Sequence, residues 1–194
     1  MCEPIVAYTS LKDLIEHIAR IIDSGRKISN KELIDICNES EFLDFRADAH
    51  IYHEIAETAL NLLILKEDGL DLLASAEPIE AISTVLRPLQ KRLPTQTWRS
   101  ETQITYQQFS TPVTIGYLAA YLLHIRQGEA VLEPSCGTGC LAVWALAAGA
   151  TVIANEIDPR RRALADVLGL RPYGVDAEFI DDLLPEDLPP DIVL

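Results

Sequence analysis

The chain has 194 residues, room for one substantial domain or two small ones, and its 48% hydrophobic content excludes a disordered tail. Sixteen Lys and Arg stand against thirty Asp and Glu, a formal charge of −14 at pH 7. Both halves share the deficit, −6 over residues 1–100 and −8 over residues 101–194, so there is no basic arm and DNA is expected to bind this chain weakly if at all.

The first hundred residues read as helices. Ser10 and Asp13 form an N-cap signal, and Leu11, Leu14, Ile15, Ile18 and Ile22 recur at helical spacing until Gly25 stops the run. A second helix starts at Ser29 or Asn30 and carries Leu33, Ile34 and Cys37. A third begins near Asp48 with Ile51, Ile55, Ala59, Leu62 and Leu63 on one face, and a fourth runs over residues 77–92 before Pro94. Residues 94–108 are polar and read as a linker. The expected division is a helical domain over residues 1–100 and a second unit over residues 101–194.

The pattern changes after the linker. Thr111-Pro112 predicts a capped helix over residues 113–126, ended by Gly128. Residues 130–135 form a short apolar strand entering a turn, and Gly137-Thr138-Gly139 leads into a helix over residues 140–148. A β-branched strand over residues 151–157, a helix over residues 159–168, and strands at residues 174–176 and 191–194 follow. Strands alternating with helices predict an α/β fold with a parallel sheet and right-handed crossovers. Arg160, Arg161 and Arg162 read as a solvated first helical turn.

No apolar run reaches the roughly 18–20 residues of a membrane span. Met1-Cys2-Glu3-Pro4 lacks the charged and apolar regions of a signal peptide, so a cytoplasmic location without membrane association is expected. Cys2, Cys37, Cys136 and Cys140 lack zinc-ligand spacing and read as free thiols, with no metal expected. His50 and His53, with Glu54 and Glu57 nearby on the third helix, can be drawn as a metal site, but histidines on an amphipathic helix read first as surface or packing residues.

A strand running into Gly-x-Gly and a helix lets the backbone approach a ligand closely and presents free N–H groups to it. Glu156 falls at the tip of the next strand, where a carboxylate can accept hydrogen bonds from two ribose hydroxyls. Together they predict a nucleoside-containing ligand. Gly137-x-Gly139-x-x-Ala142 also fits the dinucleotide fingerprint, which keeps an NAD-linked oxidoreductase as an alternative. Against it, Glu133 at the strand end would repel a pyrophosphate and would suit an ammonium or sulfonium centre.

Glu133-Pro134-Ser135-Cys136-Gly137-Thr138-Gly139 resembles the first motif of class I S-adenosylmethionine-dependent methyltransferases, in the form found among N6-adenine DNA methylases. Gln108-Phe109-Ser110-Thr111-Pro112 is similar to the motif that closes over the methionine end of the cofactor in those enzymes. Asn155-Glu156-Ile157-Asp158-Pro159 resembles their second motif, and Asp176 matches the carboxylate that accepts from the adenine amino group. The resemblance implies a Rossmann-like sheet of order 3-2-1-4, with Glu156 on the ribose and Ile157 against the adenine. It assigns cofactor contacts to Phe109, Ser110, Thr111, Glu133, Pro134, Ser135, Cys136, Gly137, Gly139, Glu156, Ile157 and Asp176. Residues 92–112, 131–139 and 155–161 are also similar to the methylase-like domain preceding bacterial strawberry-notch-type helicases.

The family's Asn/Asp-Pro-Pro-aromatic motif, which receives the target amino group after the fourth strand, is missing. Pro189-Pro190 precedes that strand and reads as a loop entry. The expectation is therefore the cofactor-binding portion of a longer amino-methyltransferase, DNA adenine N6 being the favoured target, inactive by itself and without catalytic residues of its own. A C-terminal helicase or catalytic region would supply the remainder, and an uncovered strand edge could pair two copies. The alternative from another class is a non-catalytic interaction module with a degenerate or split methyltransferase fold.

Overall fold

The computed structural model describes residues 8–40, 51–67, 69–75, 77–95, 110–183 and 189–194. Helix α1 (Leu11–Asp23) opens where the Ser10 hydroxyl accepts from the Asp13 N–H at 3.2 Å, and it buries Leu14, Ile15, Ile18 and Ile22. It ends ahead of Gly25, whose φ of +87° is reached without a Cβ clash. Helix α2 (Asn30–Asn38) is capped by Ser29, not Asn30, through the Glu32 N–H at 3.2 Å.

Helix α3 (Ile51–Lys66) is the spine of the molecule; its predicted start near Asp48 lies outside the described residues. It is buried on nearly every side, which the single apolar face read from the sequence did not anticipate. Two sets of neighbours explain this, α1 on one side and the helices of the sheet on the other. A short helix α4 (Gly69–Ala74) follows, too brief to leave a periodic signal.

The predicted fourth helix is one continuous run with a defect. Helix α5 (Pro78–Glu80) passes into a π-helical turn (Ala81–Leu86) and then α6 (Arg87–Gln90). Pro88 is the cause. It has no N–H to donate and its ring pushes the preceding turn outward, so the Arg87 N–H bonds back to the Ile82 carbonyl.

Helix α7 (Val113–Leu123) starts at the predicted Val113, but Thr111 is not its cap. Pro112 is the cap and gives no side-chain bond; its carbonyl accepts from the Ile115 and Gly116 N–H groups at 2.9 and 3.0 Å. The helix stops at His124, left-handed at φ +51°, before Gly128 is reached. Gly116 faces the next helix closely: a Cβ there would lie 2.5 Å from the Cys140 carbonyl oxygen.

Strand β1 (Ala130–Glu133) pairs in parallel with β2 (Thr151–Ala154) and with β3 (Ile192–Val193), giving the order β2-β1-β3. β1 is buried along its whole length, as a central parallel strand covered by helices must be. Helix α8 (Ala142–Ala147) follows the glycine turn, and α9 (Pro159–Val167) starts from an Asp158 cap with proline at its first position. The mixed α/β class with a parallel sheet is present.

The strand predicted at residues 174–176 is absent. One parallel bridge, Asn155 to Tyr173, occupies the outer edge of β2 instead. Pro172 can donate no ladder bond on one side, and on the other Gly174 lies under the Arg162 guanidinium. Residues 177–183 turn in kinked 3-10 fashion.

Buried side chains of α1, α3, α7, α8 and α9 form one apolar cluster, with Trp144, Tyr117, Ile55 and Ile64 fully enclosed. Val131, Ala145 and Ala150 form a smaller one. The linker, including Trp98 and Tyr106, and the expected boundary near residue 100 lie outside the described residues. Among the described residues no helix is long and apolar enough to cross a membrane.

Candidate functional site

β1 delivers Glu133, and the chain then turns through residues 134–139 before α8. The turn is held by Cys136 N–H to the Asn155 carbonyl and Gly139 N–H to the Cys136 carbonyl, both at 2.8 Å. Gly137 and Gly139 have φ of +56° and +88°, left-handed values that an L side chain adopts at a cost. At the tip of β2, the Glu156 carboxylate meets this turn. Oε2 accepts from the Gly137 N–H and Oε1 from the Asp158 N–H, each at 2.8 Å. Each oxygen keeps a lone-pair site for a further donor.

Glu133 is buried. Its Oε1 accepts from the Ser135 N–H at 3.2 Å, while Oε2 has no hydrogen-bond partner among the described residues. Burial pushes its carboxyl up to about 7; the Ser135 N–H opposes the shift and the nearby Glu156 charge adds to it. An enclosed carboxylate with an unsatisfied oxygen is a site for a proton or for a cation.

The other wall of the turn comes from α3, a contribution the sequence reading missed. Ser110 Oγ donates to Glu57 Oε2 at 2.5 Å, Thr138 Oγ1 lies 3.5 Å from the same oxygen, and Asn61 Nδ2 donates to the Thr138 carbonyl at 3.0 Å. Arg161 is buried, contrary to its reading as part of a solvated turn. Its Nε lies 3.1 Å from Glu54 Oε1, although the N–H is not aimed at that oxygen, and its Nη2 donates to Ser110 Oγ at 3.3 Å. The guanidinium lies beside Gly137, where a Cβ would come within 3.4 Å of it.

Burial pushes Glu54 up to about 7, against the lowering effect of Arg161, and pushes Glu57 up against the Ser110 hydrogen bond. The carboxylate of Glu54 is what permits a buried arginine. Glu54, Glu57 and Asn61 follow one another at spacings of three and four, a polar stripe within an otherwise apolar helix. That stripe was the signal available in the sequence.

Of the other residues singled out, Pro134 accepts from Asn155 Nδ2 at 3.0 Å through its carbonyl, and Ser135 is exposed. The same Asn155 amide holds the following loop, donating to the Val175 carbonyl at 3.0 Å and accepting from its N–H at 3.1 Å. Asp176 is exposed, its Oδ1 accepting from the Glu178 N–H at 3.1 Å. Ile157 is half exposed, and Thr111 is partly buried just ahead of α7. Cys136 and Cys140 are buried free thiols whose pKa values burial raises to about 12 and about 11. Phe109, Gln108 and His50 lie outside the described residues. Among the described residues no group of three or more His, Cys, Asp or Glu side chains could hold a metal ion. Compared with family models, curated proteins and solved structures, the chain gives no match in any of the three.

Proposed function

We propose that the chain binds S-adenosylmethionine at the glycine turn, as the cofactor-binding portion of a methyltransferase acting on an amino nitrogen. Adenine N6 in DNA is the favoured target of the full-length protein. The observation that carries the reading is Glu133, a buried carboxylate with one oxygen unsatisfied, set immediately before the turn. A sulfonium or ammonium centre would satisfy it. A pyrophosphate would be repelled, by about 4 kcal/mol for unit charges 4 Å apart at an effective dielectric constant of about 20. NAD therefore fits less well.

The residues present fit the cofactor. Glu156, fixed by two backbone N–H groups, keeps acceptor capacity for a ribose diol. Gly137 and Gly139 let the turn pack against Arg161 and Leu168, where a Cβ would lie 3.4 and 2.6 Å away, and the backbone of Pro134, Ser135 and Cys136 would run along the cofactor. Ser110 and Thr111, with Phe109, would meet the amino-acid end, and Ile157 and Asp176 would serve the adenine. When bound, S-adenosylmethionine supplies an electrophilic methyl group; this chain's part is to hold and orient its donor.

Titration calorimetry with S-adenosylmethionine, with sinefungin as competitor and NAD in a parallel run, tests the reading. Saturable heat with S-adenosylmethionine, abolished by sinefungin, is expected. No heat from demonstrably folded protein, or preferred binding of NAD, would sink it. Methyl transfer to DNA by this chain alone is expected to be undetectable.

A further inference from the structure

A second cleft, of about 810 Å³, lies between the loop after α1 and the end of α6. Lys27, Arg87 and Lys91 line it, together with Gln90, Thr95 and Glu57. The chain carries sixteen basic residues against thirty acidic ones, and three of the sixteen gather here. Elsewhere Arg26, Lys66 and Arg160 are paired with Glu32, Glu16 and Asp158, while the other exposed cations, Lys12, Arg20, Lys31, Arg126 and Arg171, do not line this cleft. Among the described residues Lys27, Arg87 and Lys91 have no carboxylate partner. The one acid in the lining, Glu57, is turned to Ser110 and Thr138.

The geometry holds these cations together. Ile28 N–H donates to the Arg92 carbonyl at 2.9 Å, Arg92 Nη1 donates to the Ile22 carbonyl at 2.8 Å, and Asn30 Nδ2 donates to the Thr95 carbonyl at 3.2 Å. These bonds pin the stretch carrying Lys27 against the segment carrying Lys91. Arg87 and Lys91 are four residues apart and repel one another along one helical face. Cations without carboxylate partners, gathered at one cleft on a pinned backbone, are stabilised by an anion with several acceptor oxygens, and they focus its approach against the field of an acidic protein.

We infer that this cleft is a binding site for a phosphate group, carried either by a free polyphosphate compound or by a nucleic-acid strand. The inference rests on the cleft's own cations and is independent of the cofactor reading. Through Glu57 the cleft also shares a wall with the glycine turn, so a ligand held there would lie next to the site described above.

Fluorescence anisotropy of a labelled single-stranded oligodeoxynucleotide at low salt, with inorganic pyrophosphate as competitor and pyrophosphate calorimetry alongside, tests it on the whole chain. The comparison is between wild type, Lys27→Gln/Lys91→Gln, and the charge-matched control Lys12→Gln/Arg126→Gln. The cleft variant is expected to lose roughly tenfold in affinity and the control to stay within about twofold. Oligonucleotide binding assigns the phosphate to a strand; pyrophosphate binding alone assigns it to a free compound. Binding of neither probe, or equal losses in both variants, would overturn the inference.

Discussion

The Gly137 N–H donates to the Glu156 carboxylate at 2.8 Å, a buried side-chain bond that joins the Cys136–Asn155 backbone bond in tying the glycine turn after β1 to the tip of β2. The second oxygen of Glu156 holds the Asp158 N–H, which fixes the entry to α9. Glu156→Ala removes both bonds and leaves buried donors unpaired, at a cost of about 1–3 kcal/mol. Urea unfolding should show a lower midpoint with an unchanged slope; an unaltered midpoint would show that the carboxylate does not organise the turn.

Burial holds Glu133 and Glu54 near pKa 7, above the ordinary value of 4.5. The folded state therefore binds more protons than the unfolded chain between these values. Stability from these groups is full below about 4.5 and is lost as pH rises through about 7. The urea midpoint is expected to be higher at pH 5.5, between the two values, than at pH 8.5, above both, with the gap narrowed by Glu133→Gln. A midpoint that rises towards pH 8.5, or a gap unchanged in the variant, would contradict this account.

Arg161 and Glu54 form a buried pair that joins α9 to α3. Arg161→Met leaves Glu54 without its cation and is expected to destabilise the fold by roughly 3 kcal/mol. Arg161→Met/Glu54→Leu should recover most of that loss, because no uncompensated charge remains. A double variant no more stable than Arg161→Met would show that the loss comes from packing.

Gly116 lies where α7 crosses the turn into α8. A Cβ there would lie 2.5 Å from the Cys140 backbone oxygen and 3.1 Å from Trp144 Nε1, and backbone cannot swing aside as a side chain can. Gly116→Ala should therefore lower stability by about 1–3 kcal/mol, although alanine favours a helix by about 1 kcal/mol. The neighbouring, half-exposed Ile115→Ala should be nearly silent. Equal midpoints for Gly116→Ala and wild type would refute the close approach.

Local signals were the legible part of this fold. Ser10 and Ser29 cap because a side-chain oxygen next to an apolar periodic run has few other uses, and the spacing from Gly139 to Glu156 suffices to put an acid beside the turn. Effects that depend on a distant partner were not legible. Arg161 reads as solvated until Glu54, more than a hundred residues earlier in the chain, is brought beside it. The β-branched and glycine pattern at residues 174–176 promises a strand, but Pro172 and the Arg162 guanidinium reduce it to a single bridge. The π-turn was visible in principle, since Pro88 sits inside a helical run. At the site, Glu133 could be placed by sequence at the strand end, whereas its unsatisfied oxygen required the surrounding packing.

The most direct test of the cofactor reading is equilibrium titration of S-adenosylmethionine into the wild-type chain and into Glu133→Gln, at pH 6 and pH 8. The account predicts saturable binding that tightens at pH 8, where the Glu133 carboxyl has lost its proton, and a weaker, pH-insensitive affinity in the variant. Folded wild-type protein that gives no binding at either pH, or a Glu133→Gln variant that binds as tightly with the same pH dependence, would contradict it.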